Sequence, residues 1–178
     1  VDATEGWKNT MDSTSNVIGK PPFVAATGGN QPTATGCVVD TDYKFHRFTG
    51  PGTFTVTNVG IPATEQKVDY TVVAGGGGAG HHYGGGGGGG GFRESKTTAV
   101  SGCWTASPQV AACGSLTVTE TSYPIVVGGG GASAPNASPY IGVKGNDSSF
   151  STITSTGGGH GSGNTSGTSN CGSGGSGG

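Results

Sequence analysis

The four histidines are His46, His81, His82 and His160, each able to transfer a proton or ligate a metal. Only His81 and His82 are adjacent, and Tyr83 follows them. Neighbouring residues on an extended chain point to opposite sides, so one metal ion between the two imidazoles is geometrically awkward. The readings left are rings that stack on a glycan and polar decoration between glycine segments. Tyr140 joins His81, His82 and Tyr83 as candidates for surface recognition; Trp7 and Trp104 are further aromatic candidates for sugar or subunit contact, with Trp104 expected instead to pack on its own Cys103–Cys113 loop. Serine, histidine and aspartate are present without the spacing of a triad, and no carboxylate pair suggests glycoside hydrolysis. The glycine runs contain GxGxxG, but no GK[ST] follows and no helix signal follows Gly91 or Gly131, so no phosphate-cradling loop is expected. No catalytic residue, metal or cofactor is expected.

The four cysteines form no CxxC pair. Cys103 and Cys113 enclose a short loop, where a disulfide would contribute about 2–3 kcal/mol. Cys37 and Cys171 would form a second bridge, tying the glycine-rich tail to the first strand region. Four buried thiols are the alternative. An even count in a chain with few core residues points to an oxidising, extracellular compartment. Three N-x-S/T sequons, at Asn136, Asn146 and Asn164, are candidate glycosylation sites. Pro139 makes the first a poorer acceptor.

The elements that position these residues follow from composition. Glycine (40 residues) and proline (9) exceed a quarter of the 178 residues. There are 16 valines, 5 isoleucines and one leucine, Leu116. Glycine and β-branched residues are poor helix formers, which predicts an all-β protein. Charged residues make up 10% and the net charge is -2, so no basic footprint for nucleic acid exists. No run of 18 apolar residues exists, and membrane insertion is not expected.

Residues 1–36 read as an extended arm. Val17-Ile18 and Phe23-Val24 are apolar patches around Pro21-Pro22, which removes two amide donors and enforces extended backbone. Such an arm lies along its own domain, frays, or adds as a strand to a neighbouring subunit. Strands are expected at Cys37–Val39, at Tyr43–Thr49, and at Thr53–Thr57 with Phe54 and Val56 inward. Further strands are expected at Val68–Ala74, with its end buried on both faces, and at Leu116–Thr119, Tyr123–Val127 and Phe150–Thr154.

Three of these strands run straight into glycine: Ala74-Gly75, Val127-Gly128 and, after Thr156, Gly157. A flexible linker is one reading. The other is a bundle of left-handed three-residue helices of the polyproline II type. Eight glycines (Gly84–Gly91) would span roughly 25 Å, and neighbouring helices would supply the hydrogen bonds each lacks internally. Residues 37–163 are thus expected to hold strands interleaved with glycine helices, and residues 164–178 to form a Gly/Ser-rich tail.

Tyr43–Thr49, Gly52–Val56, Val68–Gly78, Gly91–Ser95, Tyr123–Gly128 and Asn146–Ile153, in that order, resemble the glycine-rich domain of phage tail-fibre and related extracellular proteins. The resemblance covers about two thirds of the chain. It implies a jelly-roll-like β-sandwich with an attached polyglycine bundle, a fibre or adhesion role, and no catalysis. Two functions are therefore expected. One is a structural subunit of an extracellular fibre that assembles with copies of itself through its N-terminal arm. The other is the adhesin tip of a tail fibre on a virion surface, binding a cell-surface glycan or protein.

Overall fold

The computed structural model describes residues 23–30, 34–40, 43–60, 66–95, 115–163 and 171–175. These residues contain strands and no helix. In chain order the strands are β1 (Ala25–Thr27), β2 (Cys37–Asp40), β3 (Tyr43–Phe45), β4 (Gly52–Asn58), β5 (Lys67–Val68) and β6 (Tyr70–Val73). They continue with β7 (Phe92–Ser95), β8 (Leu116–Thr117), β9 (Ser122–Val126), β10 (Ser148–Phe150) and β11 (Ile153–Ser155). Every pairing is antiparallel. One sheet has five strands in the order β1-β4-β9-β10-β11, and three two-stranded ribbons pair β2 with β3, β5 with β8 and β6 with β7.

Alternation in β4 sets the core. Phe54 and Val56 turn inward and are buried, while Thr53, Thr55 and Thr57 turn away. They meet Phe150 of β10, Val72 of β6 and Val118, which has 0% exposure. Phe150 is the aromatic hub. The rings of Phe54, Tyr70 and Tyr123 approach it edge-on at centroid distances of 5.9, 6.1 and 6.0 Å. That geometry sets the positive ring edge against the negative ring face. The Tyr123 hydroxyl reaches out of this cluster and accepts the Thr119 amide at 2.8 Å.

Several strand expectations are corrected. β3 stops at Phe45 and its three residues are exposed. His46 leaves the strand to meet Phe54 edge-on at 5.3 Å, and its Nδ1 donates to the Gly28 carbonyl at 2.7 Å. The end of β6 is buried on one face only: Val72 and Ala74 are inside, but Val73 is 54% exposed because no layer covers that face. Phe150–Thr154 is a hairpin instead of one strand. Phe150 pairs with Ile153, and Ser151 takes φ 54 at the first turn position. A two-residue loop commonly places glycine there, and serine gives no such signal.

The arm expected over residues 1–36 ends inside the sheet. β1 is the edge strand on β4, with Ala26 opposite Val56 and Thr27 opposite Thr55. Val24 packs on this chain's own core, and Phe23 is about half exposed. Val17 and Ile18 lie outside the described residues.

Candidate functional site

Five segments, 74–81, 84–91, 128–134, 140–146 and 156–163, leave the sheets and lie side by side. None is a strand, yet their backbones are hydrogen-bonded in a fixed rotation. Ala74, Gly77 and Gly80 donate to Gly91, Gly88 and Gly85 at 2.8–2.9 Å. Gly75, Gly78 and His81 donate to Asn146, Val143 and Tyr140 at 2.8–3.1 Å. The partner changes with each residue and returns after three. Carbonyls are used in the same way: Gly75 and Gly78 accept from Gly158 and Gly161, and Gly76 and Ala79 accept from Gly131 and Ala134. The segment 74–81 therefore touches four neighbours through main chain alone, which satisfies polar groups that glycine cannot shield with a side chain.

The close approach explains the residue type at the centre. A Cβ on Gly77 would overlap the Gly159 carbonyl, and one on Gly78 would overlap the Ala132 carbonyl. At the rim, Gly85 and Gly86 have no atom within 4 Å of a Cβ. The array is joined to the sheets by one short stretch. Asp147 Oδ1 accepts the Gly157 amide at 2.8 Å, and the buried Ser148 Oγ accepts the Gly128 amide at 2.9 Å. Two glycine segments thus begin with their first amides held by side chains of β10 and the residue before it.

At the far end of the array the chain turns through His81, His82 and Tyr83. His82 and Tyr83 have φ of 58 and 60, and Tyr140 in the facing loop has φ 55. Left-handed backbone at a residue with a bulky side chain costs about 1–2 kcal/mol. The result is an aromatic tip. The ring of Tyr140 stacks on His82 at 5.3 Å and 25°, and on His81 at 6.1 Å and 22°. Tyr83 meets His82 edge-on at 5.1 Å and is 93% exposed. The His81 amide donates to the Tyr140 carbonyl at 3.1 Å, which locks the two loops together. His81 Nδ1 is buried with no hydrogen-bond partner among the described residues. Chemically the tip offers ring faces and a phenol. Among the described residues no group of three His, Cys, Asp or Glu side chains is placed to hold a metal ion.

Residues 49–178 match the glycine-rich domain family. The chain belongs to that family. No curated protein and no solved structure matches it significantly. The glycine-rich domain therefore takes in β4 to β11, the array and the tip, while β1, β2 and β3 come from residues before it.

The four recognition candidates, His81, His82, Tyr83 and Tyr140, are brought together, although 56 positions separate Tyr140 from the turn at Gly84. Cys37 and Cys171, expected to pair, are both free thiols in this structure. Cys37 opens β2 beside Gly36, which faces the His46 ring, whereas Cys171 precedes Gly172, which faces the His160 ring. The two thiols are thus held by different parts of the molecule. Cys103, Cys113 and Asn164 lie outside the described residues. Asn136 is exposed in the loop before Tyr140. Asn146 is exposed, but the serine of its sequon, Ser148, is buried and bonded to the array.

The sequence reading missed the Asp147–Ser148 clip and the docking of residues 171–175 on the array. The first had a signal: a polar triplet, Asn146-Asp147-Ser148, just before an apolar strand residue. The second had only glycine spacing, which an unstructured tail shares.

Proposed function

We propose that this chain is a non-catalytic structural subunit of an extracellular fibre or filament. The observation that carries the reading is the glycine array. Its hydrogen bonds return every third residue, the period of a polyproline II helix. We read the array as a bundle of such helices built from glycine, and the layers around Phe54 and Phe150 as a jelly-roll-like sandwich. A bundle whose amides are held by its neighbours resists bending without a side-chain core, which suits a load-bearing brace. Copies of the chain assemble through β1. It is a three-residue edge strand with an irregular register between Ala25 and Ala26, and it comes from outside the family domain. Exchanging it between subunits reproduces the same β4 pairing in trans.

Electron microscopy of the purified chain at rising concentration tests this. Regular filaments are expected, and removal of residues 1–27 abolishes them. Compact particles at every concentration overturn the fibre. Filaments that survive the deletion overturn strand addition but leave the fibre standing.

A second reading is favoured by the aromatic tip: a receptor-binding adhesin of a phage tail fibre, displayed on a virion surface. Strained backbone that exposes Tyr83 beside the His81–Tyr140–His82 stack suits the ring face of a cell-surface sugar. Tyr83→Ala and Tyr140→Ala proteins are expected to keep their fold and lose binding to host cells or a glycan array. Unchanged binding removes this reading.

A further inference from the structure

The glycine array has a sixth, outer segment. Residues 171–175 lie antiparallel to 156–160: the Gly172 amide donates to the His160 carbonyl at 3.2 Å, and the Gly175 amide to the Gly157 carbonyl at 3.0 Å. The seat is selective. A Cβ on Gly172 would overlap the His160 ring, one on Gly174 the Gly159 amide, and one on Gly175 the Thr156 carbonyl. Gly-x-Gly-Gly fits without displacing the His160 ring or the backbone of the array.

The seat is also loosely closed. Among the described residues two main-chain bonds hold this segment, whereas the segment 74–81 is bonded to four neighbours. An open groove of about 300 Å³ is lined by Gly175 together with Gly90–Arg93, Ser155 and Thr156. The Ser155 hydroxyl lining that groove is buried and has no partner among the described residues. An unsatisfied buried hydroxyl lowers the stability of the closed arrangement.

We propose that this seat is an exchange site, in which residues 171–175 of a second copy of the chain replace the chain's own. Seven residues, 164–170, join the segment to the end of the array at Gly163. The contacts made in trans are those made in cis, so exchange costs the freedom lost on association and little else. The seat and the donated segment are different surfaces, so the contact is head-to-tail and propagates as an open chain. This rests on the fibre reading above and adds to it a second junction, independent of β1.

The test places a thiol in the seat of the full-length chain. His160→Cys sets a cysteine beside Cys171. Under mild oxidation at low concentration, an internal cross-link is expected. At high concentration, or in filaments, non-reducing electrophoresis is expected to show a ladder of dimers, trimers and longer species, at least about five-fold above the unsubstituted chain. Adding Gly174→Val, or a tenfold excess of a peptide spanning residues 169–178, is expected to remove the ladder. Internal cross-linking alone at every concentration overturns exchange, as does a ladder that survives Gly174→Val. No cross-link of either kind overturns the seat itself. Should His160→Cys fail to fold, the unsubstituted chain still decides the matter: the peptide must slow oligomer growth, and its failure to do so overturns the proposal. Filaments without a ladder leave the fibre standing and exchange refuted; a ladder without filaments does the reverse.

Discussion

The sheet half and the glycine half of this molecule solve the same problem in opposite ways. Around Phe150, side chains fill the space. Phe54, Tyr70 and Tyr123 contact its ring, and Val56, Val72 and Val118 close the gaps. Backbone strands stay at sheet spacing, and burial of apolar area supplies the stability. At the centre of the array, glycines let backbones fill the space themselves. There the stabilising contacts are main-chain hydrogen bonds of 2.8–3.2 Å, each worth about 1 kcal/mol net. The difference teaches where each half is sensitive. The sheet half notices lost volume; the glycine half notices a single added carbon, and only where that carbon points inward.

Substitutions can break or sharpen this contrast. The largest effect is expected from Phe150→Ala, which should lower stability by about 3–5 kcal/mol in urea unfolding. A loss below about 1 kcal/mol would mean that the aromatic cluster does not hold the sheets. Next is Gly77→Ala, where a methyl group meets the Gly159 carbonyl. Overpacking of this kind costs about 1–3 kcal/mol, so adding one carbon should rival removing a ring. A neutral result would dissolve the distinction between the halves. A smaller and opposite change is expected from Ser95→Ala. The residue is 2% exposed and its hydroxyl has no partner among the described residues, and removing it should be neutral or stabilising by about 1 kcal/mol. The smallest is Gly86→Ala at the array rim, where a Cβ meets nothing within 4 Å. A shift within about 0.5 kcal/mol is expected in thermal unfolding. Paired with Gly77→Ala, it separates inward from outward positions of one glycine-rich stretch.

Some of this was legible in the residues. The alternation of Thr53-Phe54-Thr55-Val56-Thr57 points to a strand with Phe54 and Val56 inside, and both are buried. The lack of helix formers points to an all-β chain, and the described residues hold strands and no helix. Other features were not legible because they depend on distant partners. Val73 is apolar like Val72, and only the lack of a covering layer leaves it exposed. Ser151 resembles any strand serine until Phe150 pairs with Ile153 across it. Val24 could have served a neighbouring subunit as well as its own core, since an apolar residue on an extended arm carries no address.

By itself the sequence determined the class of structure and the places where backbones can meet. β-branched strands exclude a helical fold, and long glycine runs permit approaches that any Cβ forbids. Only the tertiary structure decided which run lies beside which, in what direction, and what gathers at the ends. Glycine has no side chain to distinguish one run from another, so register among the segments is set from outside. Asp147 and Ser148 hold the first amides at one end, and the Tyr140 carbonyl holds His81 at the other. The aromatic tip exists because those anchors bring residues 81–83 and 140 to the same place, an outcome that no local pattern encodes.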